Sequence, residues 1–164
     1  MFVVGEKVVY PVHGAGIIED IEQQEVLGET RCYYALRLYV GDMRLLVPVD
    51  AVERVGMRRV CSADKLDEVR LIFKETAAPW EDNWNRRYRL NMDKIKSGDI
   101  CLLAEVVRDL LRRDSIKGLS TGEKKMLDNA RKILMSEVAL AAGEEPETAE
   151  KQFFASLRET QDQN

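Results

Sequence analysis

The sequence is poor in the residues that most chemistry needs. Its one histidine, His13, lies in Pro11-Val12-His13-Gly14-Ala15-Gly16, a stretch that reads as a turn. Its three cysteines, Cys32, Cys61 and Cys101, are far apart and form no C-x-x-C, which argues against a zinc site or a disulfide framework. No G-x-S-x-G, Walker A or H-E-x-x-H motif is present. No metal or cofactor is therefore expected, and an enzyme has no support. Nor does any stretch approach the roughly 18 consecutive apolar residues of a membrane span. The start, Met1-Phe2-Val3-Val4-Gly5-Glu6-Lys7, lacks the charged region, apolar run and cleavage site of a signal peptide. A cytoplasmic protein is expected.

What is present is enough apolar content for a packed core: 45% of 164 residues are hydrophobic and 33% are charged. The formal net charge of -4 is uneven. Residues 81–140 carry 13 basic and 10 acidic side chains, whereas residues 141–164 carry 2 and 6. The basic middle sits inside an acidic chain.

The first 55 residues read as β. Val8–Tyr10, Ile17–Val26, Cys32–Val40 and Met43–Val49 are β-prone runs. Turns at Pro11–Gly16, Leu27-Gly28-Glu29-Thr30 and Gly41-Asp42 separate them. Short strands cut by glycine and proline suggest a small, bent antiparallel barrel of the SH3-like or Tudor-like kind. From Ser62 the period becomes helical. Ser62 caps a first helix to about Glu75, with Leu66, Val69, Ile72 and Phe73 on one side, and Ala77-Ala78-Pro79-Trp80 breaks it. A second helix spans Asp82 to Lys96. Asp99 caps a third, which Gly118 ends. Ser120-Thr121-Gly122-Glu123 opens a fourth with capping-box spacing, and Gly143 closes it. Pro146 starts a last, acidic helix holding Phe153, Phe154 and Leu157. The expected fold is α+β multidomain: a β module over residues 1–59, then an α-helical bundle over 60–164.

Three constellations stand out. In Asn83-Trp84-Asn85-Arg86-Arg87-Tyr88-Arg89 an indole adjoins three arginines, a pairing that can stack on or wedge between bases while neutralising phosphates. Trp84, Tyr88, Met92 and Ile95 also fall at helical spacing, so Trp84 equally suits the start of an apolar core stripe. In the basic set Arg108, Arg112, Arg113 and Lys117, the last three fit the negative end of the third helix, whereas Lys124 and Lys125, in the first turns of the fourth, gain nothing from its dipole and suit a partner. Finally, Met43-Arg44-Leu45-Leu46-Val47-Pro48-Val49 is apolar on both alternations, and Pro48 removes a ladder donor. That combination suits an edge strand covered either by a partner's strand or by the chain's own helices.

At these residues the sequence resembles the CarD/CdnL family of bacterial transcription regulators, whose N-terminal module is shared with transcription-repair coupling factors. The matching elements are Gly5-x-x-Val8-Val9-Tyr10-Pro11-x-His13-Gly14-x-Gly16, Gly41-Asp42-Met43 leading into Val47-Pro48, and Asn83-Trp84-x-Arg86-Arg87-Tyr88. Ala104-Glu105-Val106-Val107-Arg108-Asp109-Leu110 and Leu119-Ser120-x-Gly122-Glu123-Lys124-x-Met126-Leu127 follow in family order. The resemblance implies a Tudor-like module that adds an edge strand to the RNA polymerase β subunit, in a holoenzyme with the housekeeping sigma. It implies a helical domain that meets promoter DNA at the upstream edge of the melted −10 region. Trp84 would wedge into the minor groove there, with little sequence readout, and the open complex would last longer. The expected DNA-contacting residues are Trp84, Arg86, Arg87, Arg89, Lys124 and Lys125. The expected polymerase-contacting residues are Gln24, Met43, Arg44, Leu45, Leu46 and Val47. Gln24 and Leu46 stand where some family members carry basic residues, so any ion pairs there differ, with Arg44 the available substitute.

A competing reading makes the chain a protein-interaction adaptor, its β module docking a partner and its helices serving as scaffold without DNA contact. The two separate at Trp84. The regulator needs it at least partly exposed, with Arg86 and Arg89 on its side; the adaptor expects it buried.

Overall fold

The computed structural model describes residues 1–75 and 79–161, with side chains described through Ala155. The expected break at Ala77-Ala78 lies outside these residues, as does the side chain of Leu157. The chain opens as five antiparallel strands: β1 (Lys7–Tyr10), β2 (Gly14–Val26), β3 (Glu29–Leu38), β4 (Arg44–Pro48) and β5 (Arg58–Arg59), in the order β4-β3-β2-β1-β5. A one-turn helix, α1 (Val52–Val55), separates β4 from β5. This is the expected antiparallel β unit. It begins earlier on β2 than its sequence pattern suggests, and it includes β5, whose two arginines carry no strand signature.

Local chemistry explains the turns. Leu27 (φ 53°) and Gly28 (φ 79°) form a two-residue hairpin connection with both φ positive, whose twist matches that of the flanking strands. Gly16 sits where β2 crosses β3, and a Cβ there would collide with the Arg37 carbonyl. A register shift between Ile18 and Asp20 bends β2 over a core of Phe2, Val8, Ile18, Tyr34, Leu36, Leu38, Val47 and Met57.

Among the described residues five helices follow: α2 (Ala63–Lys74), α3 (Trp84–Lys96), α4 (Ile100–Ile116), α5 (Thr121–Ala142) and α6 (Pro146–Gln161). Side-chain caps set most of their starts. Ser62, Asn83, Asp99 and Ser120 each accept from a backbone N–H in the first turn. The second of the expected helix starts, at Asp82, moves to Asn83 because the amide oxygen of Asn83 reaches the N–H of Arg86 at 3.0 Å. At the far end of α5, Gly143 takes the left-handed conformation (φ 70°) that lets it cap the carbonyls of Ala139 and Leu140. The helices share one core, including Val69, Phe73, Ile95, Leu103, Val107, Leu110, Met126, Leu134 and Phe153. Among the described residues, no helix is long and apolar enough to cross a membrane.

The candidate partner and nucleic-acid surfaces

The fold leaves two surfaces open to a partner: the free edge of β4 and the joint N-termini of α3 and α5.

β4 pairs only with β3 and ends the sheet. Leu38 N–H donates to the Met43 carbonyl at 2.8 Å, which marks that position as a hydrogen-bonded pair. Antiparallel alternation then makes Leu36/Leu45 and Tyr34/Val47 the next ones. The N–H and C=O groups of Arg44 and Leu46 therefore point away from β3, and Pro48 offers only its carbonyl. This is an unpaired edge with donors and acceptors in strand spacing. The side chains divide between its two faces. Val47 is buried in the sheet core, which leaves its backbone rather than its side chain to meet a partner, and Leu45 is half-buried beside it. Met43 and Leu46 are exposed. Arg44 is exposed but bonded to Glu19 at 3.1 Å and to Glu22. Gln24 is exposed on the part of the β2–β3 hairpin that extends past the end of β4.

At the helical end, Asn83 starts α3 and so places Trp84 in its first turn. The indole stacks on Tyr88 with ring centroids 5.1 Å apart, and its Cζ2 lies 3.5 Å from where a Cβ on Gly122 would sit. Trp84 Nε1 donates to Ser120 Oγ at 2.9 Å. That hydroxyl also accepts from Glu123 N–H and donates to Glu123 Oε1, both at 3.2 Å, so its capacity is filled. Trp84 is nonetheless 41% exposed. It is oriented on three sides and open on the remainder. The apolar stripe is buried at Ile95, half-buried at Met92 and Tyr88, and emerges at Trp84.

Arg87, expected among the DNA-contacting residues, is buried. It faces inward, with Nε and Nη2 donating to the Glu123 carboxylate at 2.9 and 3.0 Å and Nη1 donating to the carbonyls of Glu81 and Asp82. Both partners are buried, and the pair ties the entry to α3 onto the first turn of α5. The guanidinium hydrogen bonds hold the Glu123 carboxyl below its ordinary pKa, while the carboxylate raises that of Arg87. Arg87 positions the site and has no free fork for a phosphate.

The other cations are exposed. Arg86 makes a loose pair with Glu81 at 3.5 Å, and Arg89, Lys124 and Lys125 have no ion-pair partner among the described residues. At 100° per residue, Arg86 and Arg89 leave α3 about 160° and 140° from Trp84. They leave α3 on the side away from the indole, against the expectation that both share its side; by the same measure Lys125 leaves α5 about 60° and Lys124 about 160° from Gly122, the residue under the ring. The residues that sequence reasoning undervalued are Ser120, Gly122 and Glu123. Their capping-box spacing was the visible signal, and it gave the helix start but not the hydrogen bond to Trp84.

Comparison with known proteins gives a concordant result. Residues 2–61 match the model of the CarD-like/TRCF RID domain, and residues 68–153 match that of the CarD C-terminal domain. The chain is 42% identical over 143 residues to a Bacillus subtilis (strain 168) protein named "Putative transcription factor YdeB", covering 87% of this chain and 94% of that one.

Proposed function

The chain belongs to the CarD family of transcription factors, and from that premise we propose that it binds the RNA polymerase β subunit and stabilises the promoter open complex. The work divides between residues 1–59, which dock on polymerase, and 60–164, which contact DNA. On docking, the outward N–H and C=O groups of Arg44 and Leu46 form a ladder with a strand of the β subunit, while Met43 and Leu46 supply apolar cover. The holoenzyme carries the housekeeping sigma, and the complex works in the cytoplasm, on the nucleoid.

At the other end Trp84 enters the minor groove at the upstream edge of the −10 bubble. The observation that carries this reading is a tryptophan held on three sides at the junction of two helix N-termini, yet open to solvent. A side chain kept for the core alone would be covered, and a mobile one could not wedge. Lys125 leaves α5 about 60° from Gly122, the residue under the ring, while Lys124, Arg86 and Arg89 leave their helices on sides away from it, so these cations meet phosphates that flank the wedged step. Trp84 binds the distorted junction better than closed duplex and shifts the melting equilibrium by that difference. About 1.4 kcal/mol gives a tenfold shift.

The test is open-complex lifetime on an A/T-rich promoter at one fixed salt concentration. Wild type should lengthen it, and Trp84→Ala, folded and bound to polymerase, should not. A wild type that binds polymerase and leaves the lifetime unchanged would return the adaptor reading.

A further inference from the structure

The seam between sheet and bundle is built around two buried polar residues, Ser136 and Glu137, that neither proposed surface uses. Glu137, on α5, is 2% exposed and receives both terminal nitrogens of Arg58 on β5, Nη1 at 2.7 Å and Nη2 at 2.8 Å. The same carboxylate accepts from the backbone N–H of Cys61 at 2.9 Å. Arg58 Nε donates to the Gly98 carbonyl at 2.9 Å, in the turn between α3 and α4. One turn-face away, Ser136 accepts from Ala15 N–H of β2 at 2.9 Å, and Lys7 Nζ and Tyr39 Oη reach the carbonyls of Leu140 and Glu144. All eight residues from Ile133 to Leu140 are buried, since the bundle covers one side of α5 and the sheet the other.

The opposite end of α5 carries Ser120 and Glu123, which hold Trp84 and Arg87. A single helix thus runs from the seam to the indole. From Glu137 to Ser120 is about 26 Å at 1.5 Å per residue. A tilt of about 10° at the seam would displace the indole by about 4–5 Å, more than the 3.4 Å rise of one base step.

We infer that Glu137 is a positioning residue: with Arg58 and Ser136 it fixes α5 to the sheet as a rigid lever, so that a chain docked on polymerase through β4 presents Trp84 at one defined step of the promoter. A buried ion pair adds less stability than apolar packing would, and its attested use is to specify one geometry among several. Arg58 fits that use, because its planar fork is engaged by α5 and by the α3–α4 turn together. The inference rests on the polymerase-bound wedge reading above.

The experiment titrates wild type, Trp84→Ala and Glu137→Gln into polymerase–promoter complexes and reads two quantities: the half-saturating concentration and the maximal open-complex lifetime. Circular dichroism and thermal melting establish that each variant is folded at the assay temperature. Glu137→Gln should keep the half-saturating concentration of wild type and lose maximal lifetime by about threefold or more, a coupling loss that a merely less stable but folded protein would not show. Should Glu137→Gln fail to fold, the double variant Ser136→Ala/Tyr39→Phe loosens the same seam and is read the same way. If wild type prolongs the lifetime, Trp84→Ala does not, and the seam variants match wild type at saturation, the lever is overturned while the wedge stands. A wild type without effect on the lifetime overturns both.

Discussion

Trp84 shows what spacing can and cannot say about one residue. Its place in an i, i+4 stripe is shared by core anchors and by exposed platforms. The difference lies in Ser120 and Gly122, 36 and 38 positions further on, which the fold brings under the ring. Arg87 shows the converse. Three arginines in four residues look alike in sequence, yet Arg87 alone meets a buried carboxylate. Replacing it by alanine leaves Glu123 charged and unpaired in the interior, and a loss of about 3–5 kcal/mol is expected by chemical denaturation, against under about 0.5 kcal/mol for Arg89→Ala. The pair also has a pH signature. Because Arg87 depresses the Glu123 pKa in the fold, the stabilisation is complete above the usual glutamate value of 4.5 and drains away as pH falls through the lower folded value. The stability gap between wild type and Glu123→Gln should therefore be widest near neutral pH and close in acid; a gap independent of pH would disprove the linkage. At Cys61, burial and then the Glu137 carboxylate push the thiol up to about 12. Alkylation of the native protein at pH 8 should mark the exposed Cys32 first and leave Cys61 unmodified, as peptide mapping would show.

Elements were legible where a local rule decides them. Ser62, Asp99 and Ser120 cap helices by side-chain chemistry that needs no tertiary partner, and Gly143 and Pro146 punctuate the chain for equally local reasons. β5 and α1 were not legible. Arg58-Arg59 becomes a strand only because β1 lies beside it, and Val52–Val55 is too short for periodicity to register. β4 was readable in part: Pro48 announced an edge, but which groups face outward depends on register with β3. That register makes a sharp prediction. Proline at position 46 removes an outward N–H and no bond of the β3–β4 ladder, so Leu46→Pro should fold with near wild-type far-ultraviolet circular dichroism and bind polymerase at least tenfold more weakly, the cost of about 1.4 kcal/mol for a lost strand-pairing bond with its neighbours. Retained affinity would show that polymerase docks elsewhere on the module.

For the whole molecule, the hydrophobic pattern foretold a β unit and a bundle but not how they join. Ser136 and Glu137 look like ordinary polar positions on an amphipathic helix, and they are buried only because the sheet closes over the back of α5. Charge was legible at this scale and has consequences there. The end proposed to meet DNA offers Arg86, Arg89, Lys124 and Lys125, while the chain as a whole carries -4 and so repels a polyanion at longer range. Four phosphate contacts cannot hold free duplex at physiological salt, and binding in the absence of polymerase should be no tighter than about 10⁻⁴ M. Docked on polymerase, the same four contacts act at the high effective concentration that a tether creates, and need only favour the melted junction over the closed duplex. Their number then becomes measurable. The logarithm of the protein's lifetime gain should fall with the logarithm of salt concentration, and the slope should shrink by about one for Lys124→Gln and about two for Arg89→Gln/Lys124→Gln. Trp84→Phe, which alters the wedge and no charge, should lower the gain at every salt concentration and leave the slope as it was. A slope equal in all four proteins would mean that these cations face solvent in the open complex, and that the wedge alone supplies the stabilisation.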